Sequence, residues 1–357
     1  MKLFAIVSLF ISLNCFALIT PFESTLPENS QFKISREMRK RVDFWVKIYS
    51  QYSTTQGVFH LVDNPSVVLG EIDVTDIFEN SRLTANEKKM QIKNRVTTKK
   101  NLILAQHNIK NPRQVRLQMG LRDRMRKAFY LSGKYLKQME AIFRQEGLPI
   151  ELTRIVYVES SFNIYAQSKV GASGLWQIMP NVARQKGYIT ATYDKRNHPI
   201  YATKLAAEIL KTNHKKLKSW PLAITAYNHG LGGVKRMLKR NDAIRIEELI
   251  ESDSPTPSWG FASKNFYACF LAVMQVERRA NDLFGDDLVK APVLAYKEVR
   301  LKNNKKKSQV LKWFDGSVTR LKQMNPHLNW ASINRQQMLP AGALLMVPQK
   351  NVVLLRN

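Results

Sequence analysis

The chain has 357 residues, of which 44% are hydrophobic and 24% charged, and its formal net charge is +28. The length allows two or three domains, and the composition is that of an ordinary globular protein. Beyond the first residues, no apolar run is long enough to cross a membrane. The charge favours a polyanionic partner: nucleic acid, anionic lipid or an acidic cell-wall polymer.

Residues 1–17 have the pattern of a secretory signal. A short basic start precedes the apolar stretch Leu3–Leu13, and Ala17 offers a small residue for cleavage. A lipid anchor at Cys15 is the less favoured alternative, because Asn14 stands where such sites prefer a small residue. We therefore expect an exported protein of the periplasm or cell envelope. Because such a protein works away from the chromosome, its charge favours envelope polymers over nucleic acid.

Residues 18–135 are predicted to form a basic, mostly helical N-terminal region. Within Arg41–Tyr52, four apolar residues share one helical face: Val42, Trp45, Val46 and Tyr49. Short strands or extended connections are predicted around Val58, Val67, Val68 and Ile72. From Asn86 to Lys137 the pattern is helical. This stretch contains many Lys and Arg residues, and its acidic residues are Glu87 and Asp123. This surface favours association with an anionic envelope surface, although a solvated helical face explains any single residue.

Residues 136–285 read as a compact helical block. Its predicted helices are Tyr201–His214, Trp220–Asn228, Gly233–Arg240 and Lys264–Arg279. Cys269 lies in the apolar run Phe266–Val276 and is predicted to be a buried core residue. Once residues 1–17 are removed it is the sole cysteine, which excludes an internal disulfide.

Glu159 ends the helix-like run Leu148–Ser160. With Leu152, Ile155 and Val156 it falls at spacings of three and four, which is one helical face. Such a face is expected to be buried, and burial raises the pKa of a carboxyl toward the range of a general acid at neutral pH. The alternative is a glutamate at a helix end that simply reaches solvent.

Residues 291–357 have a different composition and read as strand, helix, helix, strand. The predicted elements are Tyr296–Leu301, Ser308–Trp313, Val318–Met324 and Leu344–Val347. Asn325-Pro326 breaks the pattern in the middle, and the Lys-rich tract Lys302–Lys307 is predicted to be an exposed turn.

Three motifs follow one another with fitting spacing: Glu159–Asn163 (ESSFN), Gly171–Pro180 (GASGLWQIMP) and Ala226–Gly230 (AYNHG). Together they resemble the lysozyme-like catalytic domain of the soluble-type (SLT) lytic transglycosylases. Gly147–Pro149 and Tyr193–Arg196 are most similar to the membrane-bound lytic transglycosylase D type. The resemblance implies a mainly α protein whose helical catalytic domain has a lysozyme-like fold.

The family resemblance implies cleavage of the β-1,4 bond between N-acetylmuramic acid and N-acetylglucosamine in peptidoglycan. On the family pattern Glu159 protonates the glycosidic oxygen and then acts as base on the muramoyl 6-hydroxyl, which gives a 1,6-anhydro end. A typical lysozyme uses a second carboxylate. Glu151 lies too far along the helix and Asp194 sits in a turn of structural character, so the sequence favours the one-carboxyl reaction.

The resemblance also implies substrate-binding roles for further residues of these motifs: Ser168, Gln177, Met179, Tyr227 and Asn228. Met179 and Trp176 have the alternative reading of plain core, which is preferred for Trp176. The sequence departs from the family at Ser263, where a glutamate is frequent four residues before the tyrosine that corresponds to Tyr267. Substrate positioning, or the tuning of Glu159, is therefore expected to differ.

The segment 291–357 is loosely similar to a LysM-like glycan-binding module, and the family resemblance as a whole implies peptidoglycan glycan strands as the partner. A small domain that merely packs on the enzyme is the alternative. The six histidines are scattered without ligand spacing, so we predict no metal site and no cofactor. A hydrolytic muramidase and a non-catalytic wall-binding scaffold remain open, and a secreted nucleic-acid binder lacks a base-stacking module.

Overall fold

A computed structural model describes residues 20–252 and 259–351. The predicted signal segment, with Cys15, lies outside these ranges. Within them the protein is mainly helical with small sheets, as predicted. None of the described helices combines the length and the apolar character needed to cross a bilayer.

Helices make up most of the described chain, and nine short strands lie between them. The helices are α1 (Arg36–Ser50), α2 (Thr75–Glu79), α3 (Ala85–Gln106), α4 (Arg122–Ser132), α5 (Leu136–Gln145), α6 (Ile155–Ser160), α7 (Pro180–Gln185), α8 (Pro199–Leu217), α9 (Trp220–His229), α10 (Leu231–Asn241), α11 (Ile246–Glu251), α12 (Phe261–Arg278), α13 (Ala280–Phe284), α14 (Lys307–Leu311), α15 (Val318–Met324) and α16 (Trp330–Gln336). The strands are β1 (Thr20–Pro21), β2 (Gln56–Leu61), β3 (Val68–Asp73), β4 (Val115–Met119), β5 (Val289–Lys290), β6 (Tyr296–Arg300), β7 (Lys305–Lys306), β8 (Met338–Leu339) and β9 (Leu344–Pro348).

A three-stranded antiparallel sheet occupies the N-terminal region, with β2 between β3 and β4. The predicted extended segments around Val58 and Ile72 correspond to β2 and β3. Helix α3 packs on β3 and buries Ile103 in a small core with Phe59 and Val115. Otherwise α3 leaves most of its side chains exposed.

The prediction of continuous helix from Asn86 to Lys137 is wrong in its middle. Helix α3 ends at Gln106, and the left-handed backbone of Asn108 (φ 50°) turns the chain away. Pro112 opens a short 3₁₀ turn, and β4 follows from Val115. Because proline lacks an N–H and disfavours helix in the residue before it, a helix could not run through this point.

Helix α12 forms the centre of the main core. It packs against α1, α9 and α6, and Phe266, Phe270 and Met274 are buried along it. Cys269 is also buried, as predicted. The core continues without interruption into α1 and α4. The main core therefore includes residues on both sides of the limit predicted at residue 135.

The C-terminal segment has a hydrophobic core of its own, in which Val310, Phe314, Leu321 and Leu345 are buried. Strand β6 pairs with β9, and β7 pairs with β8. The four predicted elements are present within a few residues of their expected limits. The prediction missed α16, β7 and β8, so the segment contains three more elements than the predicted strand, helix, helix and strand.

An extended strap, residues 20–35, runs over the helical core before α1. Its first residues pair with β5 in a short two-stranded sheet. Farther along, four hydroxyl groups each donate a hydrogen bond to a glutamate of the core. The pairs are Ser24 with Glu277 (3.2 Å), Thr25 with Glu140 (2.5 Å), Ser30 with Glu151 (2.9 Å) and Ser35 with Glu247 (2.9 Å).

Arg154 is a fully buried cation between two buried carboxylates. Its Nε and Nη2 donate to the two oxygens of Glu277 at 2.8 and 2.6 Å, and its Nη1 donates to Glu140 Oε1 at 2.6 Å. Arg154 lies in the 3₁₀ turn Ile150–Arg154 that leads directly into α6. These bonds therefore join the start of α6 to α5 and α12.

Replacing Arg154 with Met is expected to destabilise the protein strongly. The change leaves Glu140 and Glu277 buried without their cation, which costs about 3–5 kcal/mol in comparable buried pairs. The free energy of unfolding in urea measures this effect. The control is Lys211→Met, which removes the exposed pair between Lys211 and Glu146 and is expected to cost about 1 kcal/mol or less. Equal losses for the two variants would contradict the interpretation.

Candidate active site

Glu159 lies at the end of a short helix, on the face predicted to be buried. Leu152, Ile155 and Val156 are fully buried, as their spacing predicts, whereas Glu159 is partly exposed. The run Leu148–Ser160 is not one helix, because residues 150–154 form a 3₁₀ turn before α6 begins. The predicted face is still present, because residues three apart, such as Leu152 and Ile155, lie on the same side of a 3₁₀ turn.

The chain leaves α6 through two consecutive left-handed residues. Ser161 has φ 50° and Phe162 has φ 57°, a conformation that costs free energy for residues other than glycine. The side chain of Phe162 is buried, with its ring 4.6 Å from that of Tyr157, and this packing holds the turn. The sharp exit keeps the following chain from continuing the helix past Glu159.

Burial raises the pKa of the Glu159 carboxyl from 4.5 to about 8. The surrounding protein disfavours the charged form even though part of the side chain meets solvent. At neutral pH the carboxyl therefore holds its proton. This is the protonation state that a general acid requires before it reacts.

Three other side chains respond to the charge of Glu159. The pKa of the Tyr227 hydroxyl is raised well above 10, first by burial and then by Glu159. Burial likewise raises the pKa values of Tyr49 and Cys269, and Glu159 adds a smaller part to each shift. Tyr227 comes from α9, Tyr49 from α1 and Cys269 from α12, so the charge of this carboxyl acts on side chains of three helices.

The segment Gly171–Pro180 forms a tight turn beside these residues. At Gly174 φ is 76°, and a Cβ there would lie 2.1 Å from the carbonyl oxygen of Arg196, so no larger residue fits. Gln177 is also left-handed (φ 46°), and its Nε2 donates to Ala166 O (3.0 Å) and Gly174 O (2.8 Å). The glutamine amide therefore closes the turn from inside.

Ser168 has a similar place at the other end of the turn. Its Oγ accepts a hydrogen bond from the backbone N–H of Ala172 at 2.9 Å, and its own N–H donates to Ala172 O at 2.9 Å. In this structure both Ser168 and Gln177 thus bind backbone groups of their own turn. Their roles toward a substrate stay predictions.

Trp176 and Met179 have opposite environments. Trp176 is fully buried, stacks on Phe143 and donates from Nε1 to Thr203 Oγ1 at 2.9 Å, which is the expected core role. Met179 is 39% exposed and is therefore not part of the core. Tyr227 Oη donates to Trp176 O at 2.7 Å, so α9 is bonded directly to the Gly171–Pro180 turn.

At Ser263, where the family frequently has glutamate, a small polar cluster is found. The buried Ser263 Oγ lies 2.9 Å from Nδ1 of His229 and 3.5 Å from Oδ1 of the exposed Asn228. The ring of His229 packs edge-on against Trp259. Burial and the charge of Arg236 lower the pKa of His229. A neutral imidazole and a hydroxyl therefore occupy this side of the site.

The structure brings Glu159, Tyr227 and the Gly171–Pro180 turn into one site, with Asn228 next to Tyr227 in α9. Sequence reasoning missed Tyr49, which comes from α1 more than a hundred residues away and carries no motif. It also missed His229, although the residue directly follows Ala226-Tyr227-Asn228. Within residues 20–252 and 259–351, no group of three or more His, Cys, Asp or Glu side chains is placed to hold a metal ion.

The family model described as "Transglycosylase SLT domain" matches residues 138–250, which run from within α5 to within α11 and include Glu159. We call residues 138–250, which match this family model, the SLT domain. The match includes Glu159, Ser168, Gln177, Met179, Tyr227 and Asn228. Tyr49, Cys269 and Ser263 lie outside it.

Two relatives are similar to part of this chain. Membrane-bound lytic murein transglycosylase D of Escherichia coli (strain K12) is 32% identical over 111 residues, which are 30% of this chain and 25% of that protein. A putative tributyltin chloride resistance protein of Alteromonas sp. (strain M-1) is 38% identical over 106 residues, 29% of this chain and 51% of that protein. The similarity thus spans a quarter to half of these relatives.

Two solved structures resemble parts of this chain. An inactive mutant of lytic transglycosylase Slt from Pseudomonas aeruginosa has TM-score 0.33 and 24% identity, covering 42% of this chain and 24% of that one. The soluble lytic transglycosylase SLT70 from Escherichia coli has TM-score 0.30 and 17% identity, covering 74% and 39%. At TM-scores below 0.5, neither structure supports a conclusion about this chain.

The raised pKa of Glu159 in the SLT domain predicts a stability effect that depends on pH. Between pH 4.5 and about 8 the folded carboxyl holds a proton that the unfolded chain has released. The wild type is therefore expected to lose about 1.4 kcal/mol of stability per pH unit as the pH rises through this window. Glu159→Gln has no such proton, so its melting temperature relative to wild type is expected to rise from pH 5 to pH 8.

Thermal unfolding at pH 5, 6, 7 and 8 checks this expectation. Ser160→Ala serves as the control, because it changes the neighbouring residue without removing a titrating group. Its difference from wild type is expected to stay constant with pH. A constant difference for Glu159→Gln as well would contradict the burial of the carboxyl.

Proposed function

We propose that this protein is an exported peptidoglycan lytic transglycosylase. It cleaves the β-1,4 bond between N-acetylmuramic acid and N-acetylglucosamine and leaves a 1,6-anhydromuramoyl end. The SLT domain at residues 138–250 supports the reaction class. The observation that carries the proposal is the partly exposed Glu159 carboxyl, whose pKa burial raises to about 8.

In the first step Glu159 acts as general acid. It gives its proton to the glycosidic oxygen while the bond from that oxygen to C1 of the muramoyl residue breaks. The N-acetylglucosamine part leaves with a new hydroxyl, and positive charge develops on the muramoyl ring. Glu159 is now a carboxylate, which its buried surroundings disfavour, so it is a strong base for the next step.

In the second step the same carboxylate removes the proton from the muramoyl 6-hydroxyl. The 6-oxygen bonds to C1 and closes the 1,6-anhydro ring, and Glu159 regains the proton that it gave away. No water is consumed. One carboxyl suffices, because the base of the second step is produced by the first.

Tyr227 supports the charged ring between the two steps. Its Oη donates to Trp176 O, so the lone pairs of the phenol oxygen remain to face positive charge on the sugar. Asn228, Met179, Ser168 and Gln177 bind the glycan around this point. Met179 and Asn228 offer exposed side chains, and Ser168 and Gln177 act by holding the turn in shape.

The remaining parts of the chain direct the enzyme to its polymer. Residues 1–17 export it to the periplasm or cell envelope, and the C-terminal segment, LysM-like in this proposal, binds glycan strands. Helix α3 presents Lys89, Lys93 and Lys100 on one flank, which suits a peripheral contact with an anionic envelope surface.

A hydrolytic muramidase on the same fold is the second candidate. It needs a second carboxylate as nucleophile or as base for water. The nearest acid on each side of Glu159 in the sequence is engaged elsewhere: Glu151 accepts a hydrogen bond from Ser30, and Asp194 binds the guanidinium of Arg196. This engagement favours the one-carboxyl reaction over hydrolysis.

Digestion of purified peptidoglycan by wild type and by Glu159→Gln tests the proposal. Mass spectrometry of the released muropeptides is expected to find anhydro ends with the wild type. With Glu159→Gln, release is expected to fall by at least about 100-fold, the contribution of a general acid–base group. Ser160→Ala is the matched control and is expected to keep its activity.

Each other outcome excludes a part of the proposal. Reducing ends in place of anhydro ends would favour the muramidase. No release by the wild type would favour a non-catalytic wall-binding scaffold. Full release by Glu159→Gln would show that Glu159 is not the acid.

The rate is also expected to depend on pH in a defined direction. The first step requires protonated Glu159, so activity declines above a pH of about 8 and falls about tenfold per further unit. The initial rate of muropeptide release from pH 6 to pH 10 measures this decline. A decline centred near pH 4.5 would contradict the role of Glu159 as acid.

A further inference from the structure

Residues 191–198, which we call the linking segment, lie directly behind the Gly171–Pro180 turn. Arg196 Nη1 donates to Gly171 O at 2.6 Å and to Ile178 O at 3.0 Å. Asn197 Oδ1 accepts a hydrogen bond from Ser173 Oγ at 2.7 Å. One guanidinium therefore bonds to both ends of the turn and fixes the distance between them.

The guanidinium of Arg196 is itself held in a fixed direction. Asp194 accepts from its Nη2 at 2.6 Å and from its Nε at 3.0 Å, and Arg196 is 8% exposed. A two-point pair of this kind restricts the orientation of the guanidinium plane. Asp194 thus aims the arginine at the turn.

The other side of the linking segment contacts the C-terminal segment. Asp194 N donates to His327 O at 2.7 Å, and Asn329 N donates to Thr192 O at 2.9 Å. The side chain of Asn329 adds a bond from Nδ2 to Ala191 O at 2.9 Å, and Tyr193 pairs with Leu328 in an antiparallel bridge. This contact is therefore made mostly by backbone groups, whose geometry is fixed.

A pair of buried histidines also packs between the linking segment and the C-terminal segment. His198 and His327 are almost completely buried, with their rings 4.6 Å apart, and burial lowers the pKa of both. Neither ring nitrogen of His198 has a hydrogen-bond partner in the described part of the chain, and its Nε2 lies 3.6 Å from Glu298 Oε1 of β6. Two neutral rings thus pack in a contact from which water is excluded.

We propose that the C-terminal segment holds the glycan-binding turn in shape through the linking segment, and that Arg196 is the positioning residue that transmits this support. The chain of contacts runs from Asn329 and His327 to residues 191–194, then from Asp194 to Arg196, and from Arg196 to both ends of the Gly171–Pro180 turn. The effect on catalysis rests on the proposed function, whereas the coupling itself does not.

Without the C-terminal segment, the carbonyls of Ala191 and Thr192 and the N–H of Asp194 lose their partners and become open to water. Residues 191–194 then keep only local bonds, such as Thr190 N to Tyr193 O, while Arg196 still bonds to the turn. Motion of Asp194 would release the guanidinium that spans the turn. The turn also contains the strained Gln177, so it depends on surrounding contacts to keep its shape.

Asn329→Asp in the full chain isolates this contact. The aspartate keeps an oxygen to accept from Ser332 N at the start of α16, as Asn329 Oδ1 does, but it cannot donate to Ala191 O. The matched control is Asn334→Asp, the same change in α16 at a residue that bonds to Lys307 within the C-terminal segment. Arg196→Lys keeps the charge but loses the two-point geometry.

Amide hydrogen exchange of residues 171–180 reads the coupling without any assay of activity. We expect exchange in this turn to become roughly fivefold to tenfold faster in Asn329→Asp and in Arg196→Lys, the effect of losing one or two hydrogen bonds. Asn334→Asp is expected to match the wild type. Unchanged exchange in the turn of both test variants would overturn the proposal.

The KM for soluble glycan strands is a second measurement. A contact that contributes only to stability is not expected to change it. Asn329→Asp is expected to raise KM several-fold with kcat little changed, whereas a purely structural contact would lower the melting temperature and leave KM unaltered. An unaltered KM would overturn the part of the proposal that concerns the glycan. If the wild type cleaves no glycan, the proposed function fails, and hydrogen exchange still decides whether the coupling exists.

Discussion

The partial burial of the Glu159 carboxyl is the constraint on which the site depends. The carboxyl stands at the end of α6, which packs against the buried helix α12, and its charge helps to raise the pKa values of Tyr227 in α9 and Tyr49 in α1. Burial is the cause of its raised pKa. An acid prepared by burial alone regains its proton readily once it has lost it, which suits a carboxyl that acts first as acid and then as base.

Burying a carboxyl such as Glu159 lowers the stability of the folded state. The same segment of chain contains a buried ion-pair cluster that holds the start of α6 in place. Arg154 lies five residues before Glu159 and bonds to Glu140 of α5 and Glu277 of α12. The strap adds hydroxyl donors to both carboxylates through Ser24 and Thr25. These bonds hold the 3₁₀ turn before α6 in place. Helix α6 needs this support because it is too short to be stable alone.

The site is also supported from two ends of the chain that lie outside the SLT domain match. Helix α1 contributes Tyr49 to the surroundings of Glu159, and the C-terminal segment contacts residues 191–198 behind the Gly171–Pro180 turn. The SLT domain is thus enclosed by parts of the chain that the family match does not include. Such parts are where substrate preference is expected to vary on a common fold.

The sequence predicted those features that depend on local pattern. The stripe of α1, several helices of the SLT domain and the buried face before Glu159 follow from periodicity. Strand β4 was missed because its neighbours are basic and helical, and its pairing with β2 is a long-range contact. Tyr49 and the Asp194–Arg196 pair were missed for the same reason: their role arises only when distant segments meet.

The most direct test of a buried, protonated acid is a titration of the Glu159 carboxyl itself. Carbon NMR of protein labelled at the glutamate side-chain carboxyls, with Glu159→Gln to assign the signal, gives its midpoint without substrate. We expect a midpoint near pH 8, well above the usual 4.5. A midpoint near 4.5 would mean that the carboxyl is solvated and charged at neutral pH, and it could not then serve as the acid.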